Sequence, residues 1–203
     1  MTGTAPERAA DAGGAVLDEQ LLRRIRDRLG QREWHGVTLT ELAAAAGLSR
    51  MTLHRRGIGK DDVLRQLGAL LERDLREAIF PALASGGDGR SRLRAALEAL
   101  CEVDESALGV LQALGEQAHE LFREPGPGPV LTRAAFTDGL RRILEDGVAD
   151  GTLRVDDPRE AATLLFNAAG WTYRHMRIGH RWPPGRARDR VVALLLDGVA
   201  AHD

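Results

Sequence analysis

The chain has 203 residues, a formal net charge of −2, 43% hydrophobic and 29% charged residues, and one cysteine, Cys101. This length and apolar content suffice for one domain or two small ones with a substantial core, and a lone cysteine excludes an internal disulfide. No run of about 18 apolar residues occurs and the N-terminus lacks a signal-peptide stretch, so we predict a cytoplasmic protein, neither secreted nor membrane-spanning.

The net charge hides an asymmetry along the chain. Between Leu17 and Lys60 there are nine cationic and five anionic residues, a surplus of four positive charges, which leaves −6 for the remaining residues. A basic N-terminal module on an acidic body suits an anionic polymer as the partner of that module alone. Arginine-rich helices that are merely solvated would give the same pattern, so charge alone does not decide between the two.

The first predicted helix follows an arm without periodicity. Residues 1–16 are rich in Ala, Gly and Thr and predict a disordered arm. Four apolar residues then recur at helical spacing, which predicts a helix from Leu17 to Gly30 with a single apolar stripe. We expect Trp34 to pack into the small core behind this helix.

A helix-turn-helix is predicted from Thr38 onward. Thr38 can cap the first helix together with Glu41, and Gly47 supplies the left-handed turn that ends it. The outward side chains of the second helix are hydrogen-bond donors, two fixed cations and one apolar tip, which suits the major groove of double-stranded DNA. The predicted DNA contacts are Thr38, Ser49, Arg50, Met51, Thr52, His54, Arg55 and Lys60.

The run from Thr52 to Leu64, at the end of this motif, reads T-L-H-R-R-G-I-G-K-D-D-V-L. It resembles the run T-L-Y-x-x-F-x-x-K-E-x-L that closes the motif in the TetR family of bacterial transcriptional regulators. That family carries the motif near the N-terminus, after one helix. The specific resemblance covers residues 20–66. It implies an all-α dimer with an N-terminal DNA-binding head and a C-terminal body.

Three positions depart from the family's run. His54 stands where a phosphate-contacting tyrosine is usual, Arg56 where an aromatic residue or histidine is common, and Gly57 where a core phenylalanine is usual. We expect Ile58 to fill part of the missing volume. A second interpretation stays open, in which the head is degenerate and the protein is a ligand- or protein-binding dimer with the same fold.

The rest of the chain predicts an all-α fold of about nine helices in total. A long connecting helix is expected from Lys60 to about Ala84, ended by Pro81 and the SGGDG stretch. Later helices are predicted over 90–103, 105–122, 130–149, 158–179 and 186–201. The predicted divisions are the arm (1–16), a DNA-binding domain (17–60) and a ligand-binding and dimerisation domain (61–203).

The last two predicted helices are apolar on more than one side, more than a single core contact needs. Two such helices from each of two subunits would form a four-helix interface, and TetR-like proteins dimerise in this way. A two-fold dimer would present its second helices to successive major grooves about 34 to 36 Å apart, or a multiple of that. A monomer with a fully buried last helix is the alternative.

One face of the helix over 158–179 carries an amide, an indole and an imidazole at i, i+4 and i+8. Small-molecule pockets are mostly apolar with a few convergent polar groups, so this face predicts an effector pocket, although packed core residues would give the same pattern. The predicted pocket residues are Leu111, His119, Phe122, Phe136, Leu140, Asn167, Trp171 and His175.

No motif in the sequence indicates catalysis. There is no nucleophile elbow, phosphate-cradling glycine loop or paired acid and base, so no enzymatic activity is expected. His175 and His180 have the wrong helical spacing for a shared metal, so we expect neither a metal nor another cofactor. Our interpretation is a homodimeric repressor that binds a pseudo-palindromic operator and releases it when an unknown small-molecule effector changes the separation of its heads.

Overall fold

The structure is a computed structural model that describes residues 15–30, 34–114 and 133–200, and over these residues it is all-α. The nine α-helices and one 3-10 turn among them are α1 (Glu19–Leu29), the 3-10 turn (Trp34–Gly36), α2 (Leu39–Ala45), α3 (Arg50–Arg55), α4 (Lys60–Ala84), α5 (Gly89–Ser106), α6 (Leu108–Leu114), α7 (Arg133–Ala149), α8 (Pro158–Ile178) and α9 (Pro184–Val199). A single antiparallel bridge joins Leu153 to Ala200. No helix within the described ranges combines the length and apolarity needed to cross a membrane.

Helices α2 and α3 begin as the sequence predicts. The Thr38 N–H donates to Glu41 Oε2 at 2.8 Å, and the Glu41 N–H donates to Thr38 Oγ1 at 3.2 Å, which completes the capping box. Ser49 Oγ accepts from the Thr52 N–H at 3.1 Å at the start of α3. Gly47, with φ of 71°, turns the chain between them.

Gly57 ends α3 in a Schellman turn. It has φ of 67°, and its N–H donates to the His54 carbonyl at 2.9 Å. The Ile58 N–H then donates to the Leu53 carbonyl at 3.0 Å, and both of these apolar side chains are buried. Ile58 is therefore in the core, as expected, and position 57 has a conformation that favours glycine.

Helix α4 connects the N-terminal helices to the rest of the chain. Its 25 residues span about 37 Å, and it packs against α1 and α6 and also against α5 and α7. Pro81 does not end it, because the proline lies in the last turn and the helix continues to Ala84. An ion-pair cluster joins it to α1, in which Asp74 accepts from Arg23 Nη2 at 2.8 Å and from Arg26 Nη1 at 2.7 Å.

Helix α6 touches α1 through backbone atoms. A Cβ atom on Gly109 would lie 2.1 Å from the carbonyl oxygen of Gly30, a separation that real Cβ atoms do not show. The same short helix also packs against the 3-10 turn and α4. The absence of a side chain at position 109 therefore allows α6 to lie directly on the end of α1.

Three predicted boundaries differ from the observed ones. Helix α5 continues past 103 to Ser106, because Asp104 extends its buried stripe, and α6 begins at Leu108. Helix α9 begins at Pro184, where a proline fits the first turn because it has no N–H to leave unpaired. Residues 1–14 of the predicted arm and residues 115–132, which hold parts of two predicted helices, lie outside the described residues.

Replacing Gly57 with alanine tests the turn after α3. Since L residues pay about 1 to 2 kcal/mol in the left-handed conformation, we expect the free energy of unfolding to fall by about that amount in urea titrations at fixed protein concentration. Gly185→Ala is the control, because Gly185 is helical, has ordinary φ and faces open space. Equal stability of the two variants would contradict the role assigned to Gly57.

Candidate DNA-binding surface and buried cavity

Helix α3 presents a polar outer face above an apolar inner one. Leu53 is fully buried, whereas Met51 is 70% exposed. Arg50, His54 and Arg55 are also exposed, and Thr52 is half-buried. The predicted division between inward and outward side chains of this helix is therefore confirmed. Its outer face can offer two guanidinium groups, an imidazole and a thioether to a groove of DNA.

Arg56 adds a cation that the sequence reasoning did not include among the DNA contacts. It occupies the C-cap of α3 and is exposed, directly after Arg55. The signal that could have found it is the run of two arginines before a glycine, since a glycine turn at a helix end leaves the preceding side chain at the surface.

The predicted hydroxyl contacts already make local hydrogen bonds. Thr38 Oγ1 donates to Glu41 Oε2 at 2.9 Å, and Ser49 Oγ lies 2.9 Å from Thr52 Oγ1. These bonds hold the first turns of α2 and α3. A phosphate contact from Thr38 therefore requires its hydroxyl proton to turn away from Glu41.

Lys60 is held inside the N-terminal part of the fold. Its Nζ donates to the Trp34 carbonyl at 2.7 Å and lies 4.8 Å from the centroid of the Trp34 ring. The ammonium has three N–H donors, so the contact to Trp34 leaves others for a phosphate. Trp34 itself is half-buried against the core, so it both packs there and fixes the start of α4.

A small cavity lies between α4, α5, α6 and α8. Its volume is about 20 Å³, which is room for roughly one water molecule. Its walls combine apolar side chains with a few polar ones: Leu75, Leu100, Asp104, Leu111, Phe166, Asn167, Gly170, Trp171 and Arg174. One wall belongs to α4 and one to α6, the two helices that also pack against α1.

Three of the predicted pocket residues, Leu111, Asn167 and Trp171, line this cavity together. Leu140 is fully buried in the core and does not line it. His119 and Phe122 lie outside the described residues, as does the side chain of Phe136.

His175 does not line the cavity, although its neighbour Arg174 does, and it lies close to the end of α8. The N–H groups of Gly179 and His180 both donate to the His175 carbonyl, so the chain turns back on itself. The His175 and His180 rings are consequently 5.1 Å apart, although their separation along the sequence does not match one helical face. Within the described part of the chain, no three His, Cys, Asp or Glu side chains are grouped to hold a metal.

Asp104 is the group at this cavity that sequence reasoning missed. The residue is 7% exposed, and its Oδ2 has no hydrogen-bond partner within residues 15–30, 34–114 and 133–200. Burial raises the pKa of this carboxyl to about 7, although the charge of Arg174 acts in the opposite direction. Its position was readable, because Leu93, Leu97 and Leu100 form a stripe on α5 that Asp104 continues by one turn.

The neighbouring acid, Glu105, is fully engaged in hydrogen bonds. Its carboxylate accepts from Arg177 Nε at 2.6 Å, from Arg177 Nη2 at 2.7 Å and from the Tyr173 hydroxyl at 2.8 Å. The hydrogen bonds from Arg177 lower the pKa of Glu105. The two consecutive acids of α5 therefore differ in their hydrogen bonding. Glu105 links α5 to α8, whereas Asp104 keeps an unused acceptor oxygen.

Helix α8 has an inner and an outer apolar face. The inner face is buried, as predicted, by Ala162, Leu165, Ala169 and Tyr173. On the outer side Leu164 is 63% exposed and Trp171 is 45% exposed, and Leu194 on α9 is 70% exposed. Leu164 and Leu194 are therefore large apolar side chains that the described part of the chain leaves mostly exposed.

Comparisons with known proteins agree with this architecture. Residues 86–199 match the family model described as the tetracyclin repressor-like, C-terminal domain. The chain is 35% identical over 68 residues to the HTH-type transcriptional regulator AlkX of Mycobacterium tuberculosis, a match that spans 31% of this chain and 32% of that regulator.

Solved structures show the same fold over nearly their whole length. The ketosteroid transcriptional regulator KstR2 of Mycobacterium tuberculosis has a TM-score of 0.63 at 17% identity, covering 93% of this chain and 98% of that one. A bacterial regulatory protein in the tetR family from Rhodococcus RHA1 has a TM-score of 0.69 at 19% identity, covering 92% and 100%. These similarities concern the fold alone and cover more than nine-tenths of this chain.

Replacing Asp104 with asparagine tests its environment. The folded carboxyl titrates at about 7 and an ordinary one at 3.8, so the folded state binds a proton more tightly and loses stability as the pH rises between these values. Asparagine does not titrate, so only the unmodified protein loses this stability as the pH rises. The unfolding free energy of Asp104→Asn minus that of the unmodified protein should therefore increase by about 2 to 4 kcal/mol from pH 4 to pH 8. A difference that does not change with pH in urea titrations would contradict the buried, unpaired carboxyl.

Proposed function

Because this chain belongs to the TetR family of transcriptional regulators, we propose that it is a ligand-responsive repressor that binds a pseudo-palindromic operator as a homodimer. The observation that carries this proposal is the outer face of α3, where Arg50, Met51, His54 and Arg55 are exposed above a buried Leu53. We also propose a cytoplasmic location, where a transcriptional regulator meets DNA.

The turn after α3 supports an intact DNA-binding head over a degenerate one. The departure at Gly57 looked like lost core volume, but Ile58 is buried directly after it and the Schellman turn is complete. Arg50 and Arg55 are proposed for base edges or nearby phosphates. Thr38, Ser49, Thr52, His54 and Lys60 are proposed for phosphates, and Met51 for an apolar contact in the groove.

The outer faces of α8 and α9 support the homodimer. Leu164 on α8 and Leu194 on α9 are 63% and 70% exposed among the described residues, so each of the last two helices presents a large apolar side chain. A second copy of the same chain would bury these side chains against its own, as two-fold dimers do. The resulting dimer would hold two copies of α3 for two half-sites of one operator.

The cavity supports the response to a ligand. Its walls include Leu75 of α4 and Leu111 of α6, and α6 also contacts the end of α1 at Gly30. A molecule that enlarged the cavity would have to move these helices, and α1 and α4 both belong to or adjoin the proposed head at 17–60. Such a ligand would lower DNA affinity only to the extent that it prefers the displaced arrangement.

A second candidate keeps the fold without the DNA function. In that case the protein is a ligand- or protein-binding dimer whose head has lost its contacts. The observation in its favour is Lys60, whose ammonium is engaged by Trp34. The salt dependence of DNA binding separates the two candidates. Phosphate contacts release counterions, so the affinity of an intact head for DNA falls steeply as salt rises, whereas a head without such contacts gives a flat salt dependence.

Arg55→Ala tests the DNA-binding role of α3. We expect it to abolish the preference for a duplex from the DNA upstream of the protein's own coding sequence over an unrelated duplex, since each base contact contributes about 1 to 3 kcal/mol and a dimer uses two copies. Binding is measured by fluorescence anisotropy from 50 to 200 mM salt, over which roughly 6 to 10 phosphate contacts should cost on the order of 10³ to 10⁵ in affinity.

The control for this experiment is Arg94→Ala, which removes an exposed arginine of α5. It should leave operator affinity unchanged, and both variants should remain dimers. If Arg55→Ala binds its operator as the unmodified protein does, α3 is not the recognition helix. Weak binding without preference by the unmodified protein would call for selection from random sequences.

Leu194→Glu tests the dimer interface. A carboxylate in an apolar interface loses hydration without gaining a partner, so we expect the dimer dissociation constant to rise at least about a hundredfold. The measurement is sedimentation equilibrium over a range of concentrations. Phe80→Glu is the matched control, because Phe80 is 67% exposed on α4, outside the two helices proposed for the interface. Equal dissociation constants for both variants would place the interface elsewhere.

A further inference from the structure

The wall of the cavity contains a polar atom with unused hydrogen-bonding capacity. Asp104 Oδ2 is buried there and has no hydrogen-bond partner among the residues that the structure describes. Leaving such an acceptor unpaired costs free energy in the folded protein, and buried carboxylates are normally satisfied by a donor. A bound molecule that donates a hydrogen bond to such an atom would therefore remove this cost and bind more tightly.

The charged groups around Asp104 are few. From α8, Arg174 Nε lies 3.8 Å from Oδ2, but it donates to the Gly170 carbonyl at 3.0 Å. Its guanidinium carbon lies 4.4 Å from the centroid of the Trp171 ring, so the charge is held over that ring. Arg174 balances the charge of Asp104 without completing its hydrogen bonding.

Among the residues that the structure describes, the other neighbours add no charge that could pair with Asp104. Helices α4 and α6 contribute Leu75 and Leu111 to the cavity, both apolar. On α5 itself, burial raises the pKa of Cys101 to about 12, so the thiol stays neutral. Glu105 is committed to Arg177 and Tyr173.

This arrangement discriminates between possible donors. An ammonium at Oδ2 would lie close to the Arg174 guanidinium, which is already within 4 Å of the same oxygen, and the two positive charges would repel each other. An uncharged O–H or N–H group can donate to Oδ2 without that cost. The volume of about 20 Å³ fits a polar end group, and the rest of the molecule would lie among the apolar walls.

We propose that Asp104 is the anchor of the effector site and that the effector is an uncharged, mostly apolar molecule carrying a hydroxyl or comparable hydrogen-bond donor. This inference rests on the proposed function in one respect, namely that the C-terminal body binds an effector. The donor pairs with Oδ2, and the apolar part separates Leu111 on α6 from Phe166 on α8. Binding therefore widens a cavity whose present volume is about 20 Å³.

The test uses four probes of one size and requires no DNA. Benzyl alcohol carries a neutral donor, its isomer anisole has no donor, benzylammonium is a cation and benzoate an anion. Their dissociation constants for the full chain are measured by ligand-observed NMR at pH 8 and millimolar probe concentrations. Since a hydrogen bond to a charged acceptor is a strong one, we expect benzyl alcohol to bind about tenfold to a hundredfold more tightly than anisole.

Two variants connect that preference to one oxygen. Asp104→Leu removes the acceptor at similar size, and Gly170→Ala places a Cβ atom 3.2 Å from Oδ2, which shields it without a change of charge. In both, benzyl alcohol should bind no more tightly than anisole, while anisole binding persists. Glu102→Gln, which alters an exposed acid on the same helix, should keep the preference.

Several results would overturn the proposal. These are equal binding of alcohol and anisole to the unmodified protein, a preference that survives in whichever of the two variants folds, tightest binding of the cation or the anion, or no binding of any probe. Failure of operator binding would leave these outcomes unchanged, because the assay contains no DNA. Conversely, a preferred alcohol that leaves operator affinity intact would contradict the ligand response alone.

Discussion

The continuity of α4 is the constraint on which the other features depend. The helix begins at Lys60, which Trp34 holds beside the helix-turn-helix, and about 22 Å further on its Leu75 forms a wall of the cavity. Between these points Asp74 accepts from two arginines of α1, so the first helix is tied to the same element. An unbroken helix resists bending over this length, so its two ends cannot move independently.

The unpaired carboxyl in the cavity lowers the stability of the folded protein. Filling the position of Asp104 with another leucine would extend the apolar stripe of α5 and remove an unpaired acceptor, yet the chain has a carboxyl there. Proteins that bury polar groups without partners lose free energy of folding, and such costs concentrate at sites where function uses the group. Glu105 shows the alternative outcome one residue later, where three hydrogen bonds make a half-buried acid part of the scaffold.

Sequence reasoning reached the elements whose signals are local. Capping residues, a glycine turn and a 3.6-residue period lie within a few positions of one another, so the helix-turn-helix, α4 and the inner face of α8 were predictable. Features that depend on contacts between residues distant in the sequence were not predictable in this way. The departure at Gly57 read as a defect until Ile58 was seen in the core, and Lys60 has an unexpected partner in Trp34. The position of Asp104 on the buried stripe of α5 was readable, but the unpaired state of its Oδ2 depended on the side chains packed around it.

The contact between Gly109 and Gly30 makes the connection between α6 and α1 directional. Two backbones in contact meet at the steep repulsive wall of the van der Waals potential, whereas the attraction beyond it amounts to a few tenths of a kcal/mol for a pair of atoms. Helix α6 can therefore push α1 but can scarcely pull it. Gly109 also has no side chain that could rotate to absorb a displacement, so even a sub-ångström movement of α6 toward α1 would displace α1 as well.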